Sequence, residues 1–326
     1  MKTEILRLLK ERDGYISGQE LCRRFGVSRT AVWKAINQLK EEGFEIEAVR
    51  NKGYRLGREN DVLSAEAIKS SITGQWAGRQ VEYLKEVDST NTRVKQMAEN
   101  GAPHGLLVAA ESQTMGKGRR GRGWMSPPGV NIFMSLLLRP ELEPSSASML
   151  TLVSAMAVAE GIRQETGLDC GIKWPNDVVA GGKKLCGILT EMSADLDCIN
   201  YVVPGIGINV NQEEFPEDIR SVATSLKLEC GGTVSRSRLI GAVLKAFEGF
   251  YETFMETGDL SGLMEEYSRR LVNRGRGVRV LAPGNEYTGT ALGISRTGEL
   301  LVQADDGSVR QVLSGEVSVR GIYGYV

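Results

Sequence analysis

The 326-residue chain holds a single histidine, His104, and only five cysteines, spread singly over Cys22, Cys170, Cys186, Cys198 and Cys230 with no Cys-x-x-Cys pair. An odd, scattered set with one histidine to assist it speaks against a disulfide framework and a zinc site, and most of the thiols are expected to be small buried hydrophobes. The opening residues, Met1-Lys2-Thr3-Glu4-Ile5-Leu6-Arg7, mix charge with apolar side chains and lack a secretory core. No later apolar run approaches the length of a membrane span, so the expectation is a cytoplasmic protein without membrane contact. Neither sign of charge dominates, with 40 Lys/Arg against 41 Asp/Glu.

What stands out instead is Gly116-Lys117-Gly118-Arg119-Arg120-Gly121-Arg122-Gly123-Trp124, in which glycines alternate with four cations and an indole closes the run. Glycine loses the most backbone entropy on ordering and cations resist burial, so the segment reads as a mobile loop. It offers backbone N–H groups, guanidinium forks for phosphate or carboxylate oxygens, and a flat ring for a base. A nucleotide fits all three. An RGG-type RNA contact has the same composition but leaves unexplained why the loop lies between two core strands.

Residues 1–62 read as a winged helix-turn-helix. Ile5, Leu6, Leu8 and Leu9 recur at helical spacing, Ser17-Gly18-Gln19-Glu20 forms a capping box ahead of a second helix closed by Gly26, and Ser28 caps a third over Arg29 to Glu42. Phe44 to Val49 and Tyr54 to Leu56 make a hairpin wing about Arg50-Asn51-Lys52-Gly53. Ser28, Arg29, Thr30, Trp33, Lys34 and Asn37 are the candidate readers of base edges, and Arg50, Lys52 and Arg55 the candidate phosphate contacts. Residues 1 to 60 carry thirteen Lys/Arg against nine Asp/Glu, net +4, which leaves the remainder at −5. A small helical packing domain would share the helices, but not the agreement of turn, cap and basic wing.

Residues 63–270 read as an α/β body. Ser64 starts a short helix, Val81 to Val87 alternates as a strand, and Asp88-Ser89-Thr90-Asn91 caps a helix through Ala98 while presenting N–H and hydroxyl groups to a small polar ligand. Leu106 to Ala110 and Asn131 to Leu138 are buried strands, and 146–166 is an apolar, central helix. Gly171 to Val179 reads as a strand broken at Pro175-Asn176-Asp177, a costly break unless the broken backbone has a use. After a Gly181-Gly182 turn, alternation puts Leu185, Gly187 and Leu189 on one face and Lys184, Cys186 and Ile188 on the other. Lys184 is then either a snorkelling edge lysine or a half-buried ammonium suited to a carboxylate and a phosphate brought together. Tyr201 to Val203 is a strand that ends at Pro204-Gly205-Ile206-Gly207-Ile208-Asn209. Its Gly-x-Gly lacks the third glycine of a dinucleotide fingerprint and implies only that something lies flat against the strand.

Taken in order, Asp88-Ser89-Thr90-Asn91, the Gly116 to Trp124 loop, Lys173-Trp174-Pro175-Asn176-Asp177, Lys184-Leu185-Cys186-Gly187-Ile188-Leu189-Thr190-Glu191 and Gly205-Ile206-Gly207-Ile208-Asn209 resemble the motifs of biotin protein ligases. With its winged helix the chain is similar to the bifunctional bacterial type, which also represses the biotin operon. The resemblance implies a multidomain α+β fold: a winged helix-turn-helix over 1–62, a class II synthetase-like α/β catalytic domain with a mixed sheet over 63–270, and an SH3-like β-barrel over 271–326. It implies that the biotin carboxylate attacks the α-phosphate of ATP, giving biotinyl-5′-AMP and pyrophosphate, and that a lysine of a biotin carboxyl carrier protein, from acetyl-CoA carboxylase or another biotin-dependent carboxylase, attacks the mixed anhydride.

By the same resemblance Ser89, Thr90, Asn91, Gln113, Gly116, Lys117, Arg119, Arg120, Lys184, Gly187, Gly205 and Gly207 surround biotin. Arg119, Arg120, Arg122, Trp124, Asn176, Lys184 and Asn209 bind ATP and the adenylate, with Trp124 over the adenine. Lys184 bridges carboxylate and α-phosphate as the catalytic residue, with Arg119 and Lys117 beside it, and Asp177 holds Mg²⁺. The other partners implied are biotin operator DNA and, with ligand bound, a second copy of the chain. Lys117 departs from the arginine of many relatives, a point charge in place of a bidentate fork.

Val278 to Val280, Glu286 to Ala291, Leu300 to Val302 and Arg310 to Leu313, set off by Pro283-Gly284, Thr297-Gly298 and Asp306-Gly307, fit the small barrel, and Arg320 is a candidate contributor to nucleotide or acceptor binding. Two neighbouring readings are weaker. A sensor that binds biotinyl-AMP without catalysis predicts damage at Lys184 or in the loop, and a lipoate ligase predicts an Arg-Arg-x-x-Gly-Gly-Gly signature with a following histidine; neither is present in the sequence.

Overall fold

The computed structural model describes residues 1–57, 61–281, 286–314, 318–321 and 325, with backbone only for 318–321. The N-terminal unit is α1 (Lys2–Glu11), α2 (Gly18–Phe25), α3 (Arg29–Glu41) and the hairpin β1 (Ile46–Val49) and β2 (Gly53–Leu56). The Ser17 and Ser28 hydroxyls accept from the backbone N–H of Glu20 and Ala31 at 3.1 and 3.2 Å, and Gly26 ends α2 in the left-handed conformation. Ile5, Leu6, Leu21, Ile36 and Leu39 form its core.

This unit is docked, not loosely tethered. Ala67 of α4 (Ala65–Ser71) belongs to the N-terminal core. The Arg7 guanidinium donates to the carbonyls of Lys69, Ser70 and Ile72, which the end of α4 leaves without helical partners.

The central sheet is mixed: β3 (Val81–Leu84), β4 (Leu107–Ala110), β5 (Ile132–Leu136), β6 (Gly171–Lys173), β7 (Asp177–Ala180), β8 (Lys183–Ala194) and β9 (Ile199–Ile208) lie in the order 3-4-5-9-8-7-6. Only β3 and β4 pair in parallel. The helices are α5 (Thr90–Glu99), α6 (Met149–Thr166), α7 (Leu226–Cys230), α8 (Arg236–Thr257) and α9 (Met264–Arg270). α6 and α8 cover one face of the sheet and α5 the other.

Four expectations are corrected. The Gly171 to Val179 segment is not one interrupted strand; β6 and β7 pair antiparallel around Trp174-Pro175-Asn176, so the motif is a hairpin turn. β9 does not stop at Val203 but continues through Ile208, with Pro204 opposite Thr190 on β8. On its other side β5 pairs with Gly205–Ile208 and contact resumes only at Leu138 and Val202, so the missing N–H falls in a gap of that ladder. The segment 144–166 contains an 18-residue window of mean hydropathy 1.3, long and apolar enough to cross a membrane, but 72% of that window is packed inside the fold. Finally, Cys170 and Cys186 are buried, Cys22 is half-buried, and Cys198 and Cys230 are exposed.

The C-terminal unit is a five-stranded antiparallel sheet of β10 (Gly277–Leu281), β11 (Tyr287–Ile294), β12 (Leu300–Ala304), β13 (Val309–Val312) and β14 (Ser318–Gly321), in the order 13-12-11-10-14. Turns occur at Thr297-Gly298 and Asp306-Gly307 as expected, whereas Pro283-Gly284 lies outside the described residues. Arg320 sits in β14 opposite Arg279, and its side chain also lies outside them. Trp174 fastens this unit to the central sheet: buried, it donates from its indole N–H to the Gly298 carbonyl at 2.9 Å and from its backbone N–H to Asn273 Oδ1 at 2.8 Å.

Candidate functional site

Alternation along β9 sends Val202, Ile206 and Ile208 into the core shared with α6 and α8, and Tyr201 and Val203 under α5. The same outward face continues as Gly205 and Gly207, where no side chain covers the sheet. Gly187 lies opposite Gly207 on β8 and completes a bare floor. The expectation that something lies flat here is met by the protein's own side chains. A Cβ at Gly207 or Gly187 would stand 2.6 or 2.7 Å from the Trp124 indole, and one at Gly205 would collide with Asn91.

Lys184 reaches this floor through a bulge. Val178 pairs with Cys186 but Val179 pairs with Lys184, so Leu185 is an extra residue in β8. The extra residue reverses the expected faces: Lys184 points to the side of Gly187, and Leu185 and Cys186 are both fully buried. The Lys184 ammonium lies 2.7 Å from Asp177 Oδ1 and 5.3 Å from the Trp124 ring centroid. With less than a third of its side chain exposed, it is the half-buried ammonium and not a snorkelling edge residue.

The wall beside the floor is the start of α5. Ser89 occupies the N-cap, but its side chain does not cap the helix. Gln113 does so from the next loop, its Oε1 accepting from the Thr90 N–H at 2.9 Å while its Nε2 donates to Ser126 Oγ at 3.0 Å. The Ser135 hydroxyl bridges Thr90 Oγ1 and Asn91 Oδ1 at 2.7 and 2.6 Å. Asn91 Nδ2 donates to the Leu189 carbonyl and to Glu191 Oε2 at 3.1 and 2.8 Å. The Asn91 side chain is therefore spent on holding α5 against β8.

The Gly116 to Trp124 segment, expected as a mobile loop, is folded as a small hairpin. Lys117 and Gly123 form a bridge, the Gly118 N–H donates to the Arg122 carbonyl at 2.7 Å, and the Trp124 N–H donates to the Gly116 carbonyl at 2.9 Å. Arg120 takes a left-handed conformation at its tip, with φ of 59°. Arg119 Nη1 donates to Asn176 Oδ1 at 3.1 Å and its Nη2 reaches the Ser314 carbonyl in the C-terminal unit. Burial draws the Arg119 pKa below its ordinary value. Asn176 Nδ2 in turn donates to the Ile188 carbonyl at 3.0 Å. The Trp124 indole N–H is buried with no acceptor among the described residues.

These elements enclose a cavity of about 640 Å³. It gathers Ser89, Thr90, Asn91, Gln113, Lys117, Arg119, Arg120, Arg122, Trp124, Asn176, Asp177, Lys184, Gly187, Gly205 and Gly207. Gly116 and Asn209 are not on this cavity. They line an adjoining groove with Phe215 and Ile219, and Asn209 Nδ2 donates to the buried Thr224 carbonyl at 3.0 Å. Trp124 lies on the glycine floor beside Lys184, a placement that sequence reasoning, with the indole over a base, did not anticipate. Lys173, Asp218 and Tyr325 also line the cavity and went unassigned. Lys173 was visible within a recognised motif; Tyr325 follows β14 and carries no local signal of its place.

As a metal site the cavity is sparse. Among the described residues no cluster of three or more His, Cys, Asp or Glu side chains could hold a metal ion, and Asp177 already meets Lys184 and the Tyr325 hydroxyl. One carboxylate fits a Mg²⁺ that arrives with a nucleotide and takes most of its oxygens from phosphate and water, not a resident ion.

In the N-terminal unit, Ser28, Arg29, Thr30, Trp33 and Lys34 are exposed along the start of α3, and Asn37 is half-buried. Trp33 is 58% exposed. Arg50 and Lys52 are exposed at the wing tip. Arg55 pairs with Glu47 at 2.8 Å and lies over the Tyr15 ring, which ties it to the wing itself.

Comparison with known proteins shows the family. The model of the biotin/lipoate A/B protein ligase family matches residues 83–209, that of an HTH domain residues 2–55, and that of the biotin protein ligase C-terminal domain residues 275–320. The chain is 39% identical over 309 residues to the bifunctional ligase/repressor BirA of Bacillus subtilis, covering 94% of each. It is 31% identical to the protein of the same name from Escherichia coli, covering 93% of this chain and 92% of that one. Among solved structures, the biotin protein ligase from Aquifex aeolicus in complex with biotin and ATP superposes with a TM-score of 0.65 at 33% identity, covering 74% of this chain and 99% of that one.

Proposed function

The chain belongs to the biotin protein ligase family in its bifunctional ligase/repressor form, and on that premise we propose that its cavity converts biotin and ATP to biotinyl-5′-AMP and passes biotin to a lysine of a biotin carboxyl carrier protein. The observation that carries this reading is the Lys184 ammonium, turned by the bulge at Leu185 onto a glycine floor in one cavity with the four cations of the hairpin.

In the first step the biotin carboxylate oxygen bonds to the α-phosphorus and the bond to pyrophosphate breaks. In the second, the acceptor amine attacks the carbonyl carbon of the anhydride and AMP leaves. Both steps build negative charge around the α-phosphate, so positioning and fixed positive charge do most of the work. Lys184 exchanges Asp177 for the carboxylate and phosphate oxygens, with Arg119 and Lys117 beside it. Gly187 and Gly207 let the ligand lie close to the strands, Ser89, Thr90 and Gln113 present polar groups from the α5 wall, and Arg120, Arg122 and Asn176 face the nucleotide. Trp124 moves from the floor as the ligand enters, and its buried indole N–H finds an acceptor there. Asp177 would hold Mg²⁺ delivered with ATP, which supplies charge neutralisation at the phosphates.

The winged helix reads operator DNA with the exposed N-terminal part of α3, in a two-fold pair that matches a palindromic biotin operator. Both activities belong in the cytoplasm. On this reading the central domain is class II synthetase-like and the C-terminal sheet completes an SH3-like barrel, with Arg320 toward the nucleotide. Incubation with biotin, ATP and a carrier domain tests the reading: biotin on one carrier lysine and AMP released in equal amounts are expected, and an unmodified carrier beside an intact, biotin-binding protein would leave only a sensor.

A further inference from the structure

Tyr325 belongs to none of the motifs above, follows β14, and still lines the cavity. Its ring covers the Lys173 ammonium at 3.4 Å from the centroid, and its hydroxyl donates to Asp177 Oδ2 at 2.6 Å. Lys173 and Asp177 are directly opposed partners in the β6–β7 hairpin. Opposed residues of opposite charge on one face of an antiparallel pair attract each other. Here the phenol contacts both, its π face toward the cation and its hydroxyl toward the carboxylate. The other carboxylate oxygen, Oδ1, is left to Lys184 at 2.7 Å.

We propose that Tyr325 is a positioning residue for the adenylation step: it keeps Asp177 from its cross-strand partner Lys173 and aims it at Lys184. A lysine held by an oriented carboxylate stays where incoming carboxylate and phosphate oxygens can take it over. One whose carboxylate has swung to Lys173 wanders with four rotatable bonds. The proposal rests on the adenylate-forming reading of the same site.

The test is biotin-dependent exchange of labelled pyrophosphate into ATP by the full chain. Tyr325→Phe keeps the ring on Lys173 and removes the donor; kcat is expected to fall about tenfold, the scale of one hydrogen bond to a charged group. Tyr325→Ala removes both and falls further. In each variant KM for biotin stays within about twofold and the urea unfolding midpoint stays at the wild-type value, which a general loss of structure would not spare. Adding Lys173→Met to Tyr325→Ala restores part of kcat, because the competing cation is gone. Wild-type kcat in both single variants, a rise in kcat, or no rescue by Lys173→Met would overturn the proposal. Absence of exchange in the wild type is a separate failure, of the adenylation reading itself.

Discussion

Strict alternation along β8 would put the Lys184 ammonium on the face of Cys186 and Ile188, which are buried against the α6 side of the sheet, and the single extra residue at Leu185 is what turns it toward Gly187 and Trp124. The floor is just as exacting. Glycine at 187 and 207 is required by the close approach of an indole, not by backbone conformation, since neither has positive φ. Gly207→Ala is therefore expected to fold, to displace Trp124, and to weaken biotin binding by about tenfold or more, the effect of overfilling a packed site by one methyl group. Calorimetric titration with biotin checks this, and an unchanged affinity would mean that the ligand does not use the floor. Gly205 is different, because its missing side chain makes room for Asn91, so Gly205→Ala should lower stability before it touches binding.

The elements of the site were legible in the sequence to very different degrees. Caps and turns, such as Ser17, Ser28 and Gly181-Gly182, depend on neighbours within a few residues and were readable. The bulge was not, because the spacing of side chains in β8 is regular and only its pairing with β7 reveals Leu185 as supernumerary. Pro204 looked like a strand end because a proline costs a ladder bond, and that cost vanishes only where β5 leaves a gap. One buried network joins elements that no local pattern connects. Arg236 at the start of α8 bonds Asp61, just before α4, at 2.6 Å and Glu111, at the end of β4, at 2.8 Å. Burial works against its charge, but Asp61 and Glu111 hold the guanidinium pKa above its ordinary value. Arg236→Leu takes the buried cation away from two half-buried carboxylates and is expected to cost about 3 kcal/mol in urea unfolding. A loss below about 1 kcal/mol would show that the network is solvated in practice.

At the scale of the whole molecule, arginines join the three units. Arg7 caps the end of α4, Arg236 binds the approach to α4 and the strand that leads into the cationic hairpin, and Arg119 of that hairpin reaches Ser314 of the C-terminal unit. If adenylate fixes the hairpin and the fixed hairpin favours a two-fold pair, biotin supply sets operator occupancy through linkage. Footprinting on the biotin operator is expected to show protection that strengthens when biotin and ATP are both present, and equal protection without them would break that link. On the proposed function, Lys184 is the group that brings carboxylate and α-phosphate together. Its most direct test is biotin-dependent pyrophosphate–ATP exchange in the wild type and in Lys184→Ala, with biotin affinity measured alongside. The wild type should exchange, and the variant should lose about 10²–10³-fold in kcat while still folding and binding biotin, as expected when a preorganised charge is removed from the transition state. Exchange in Lys184→Ala within a few-fold of the wild type would contradict it.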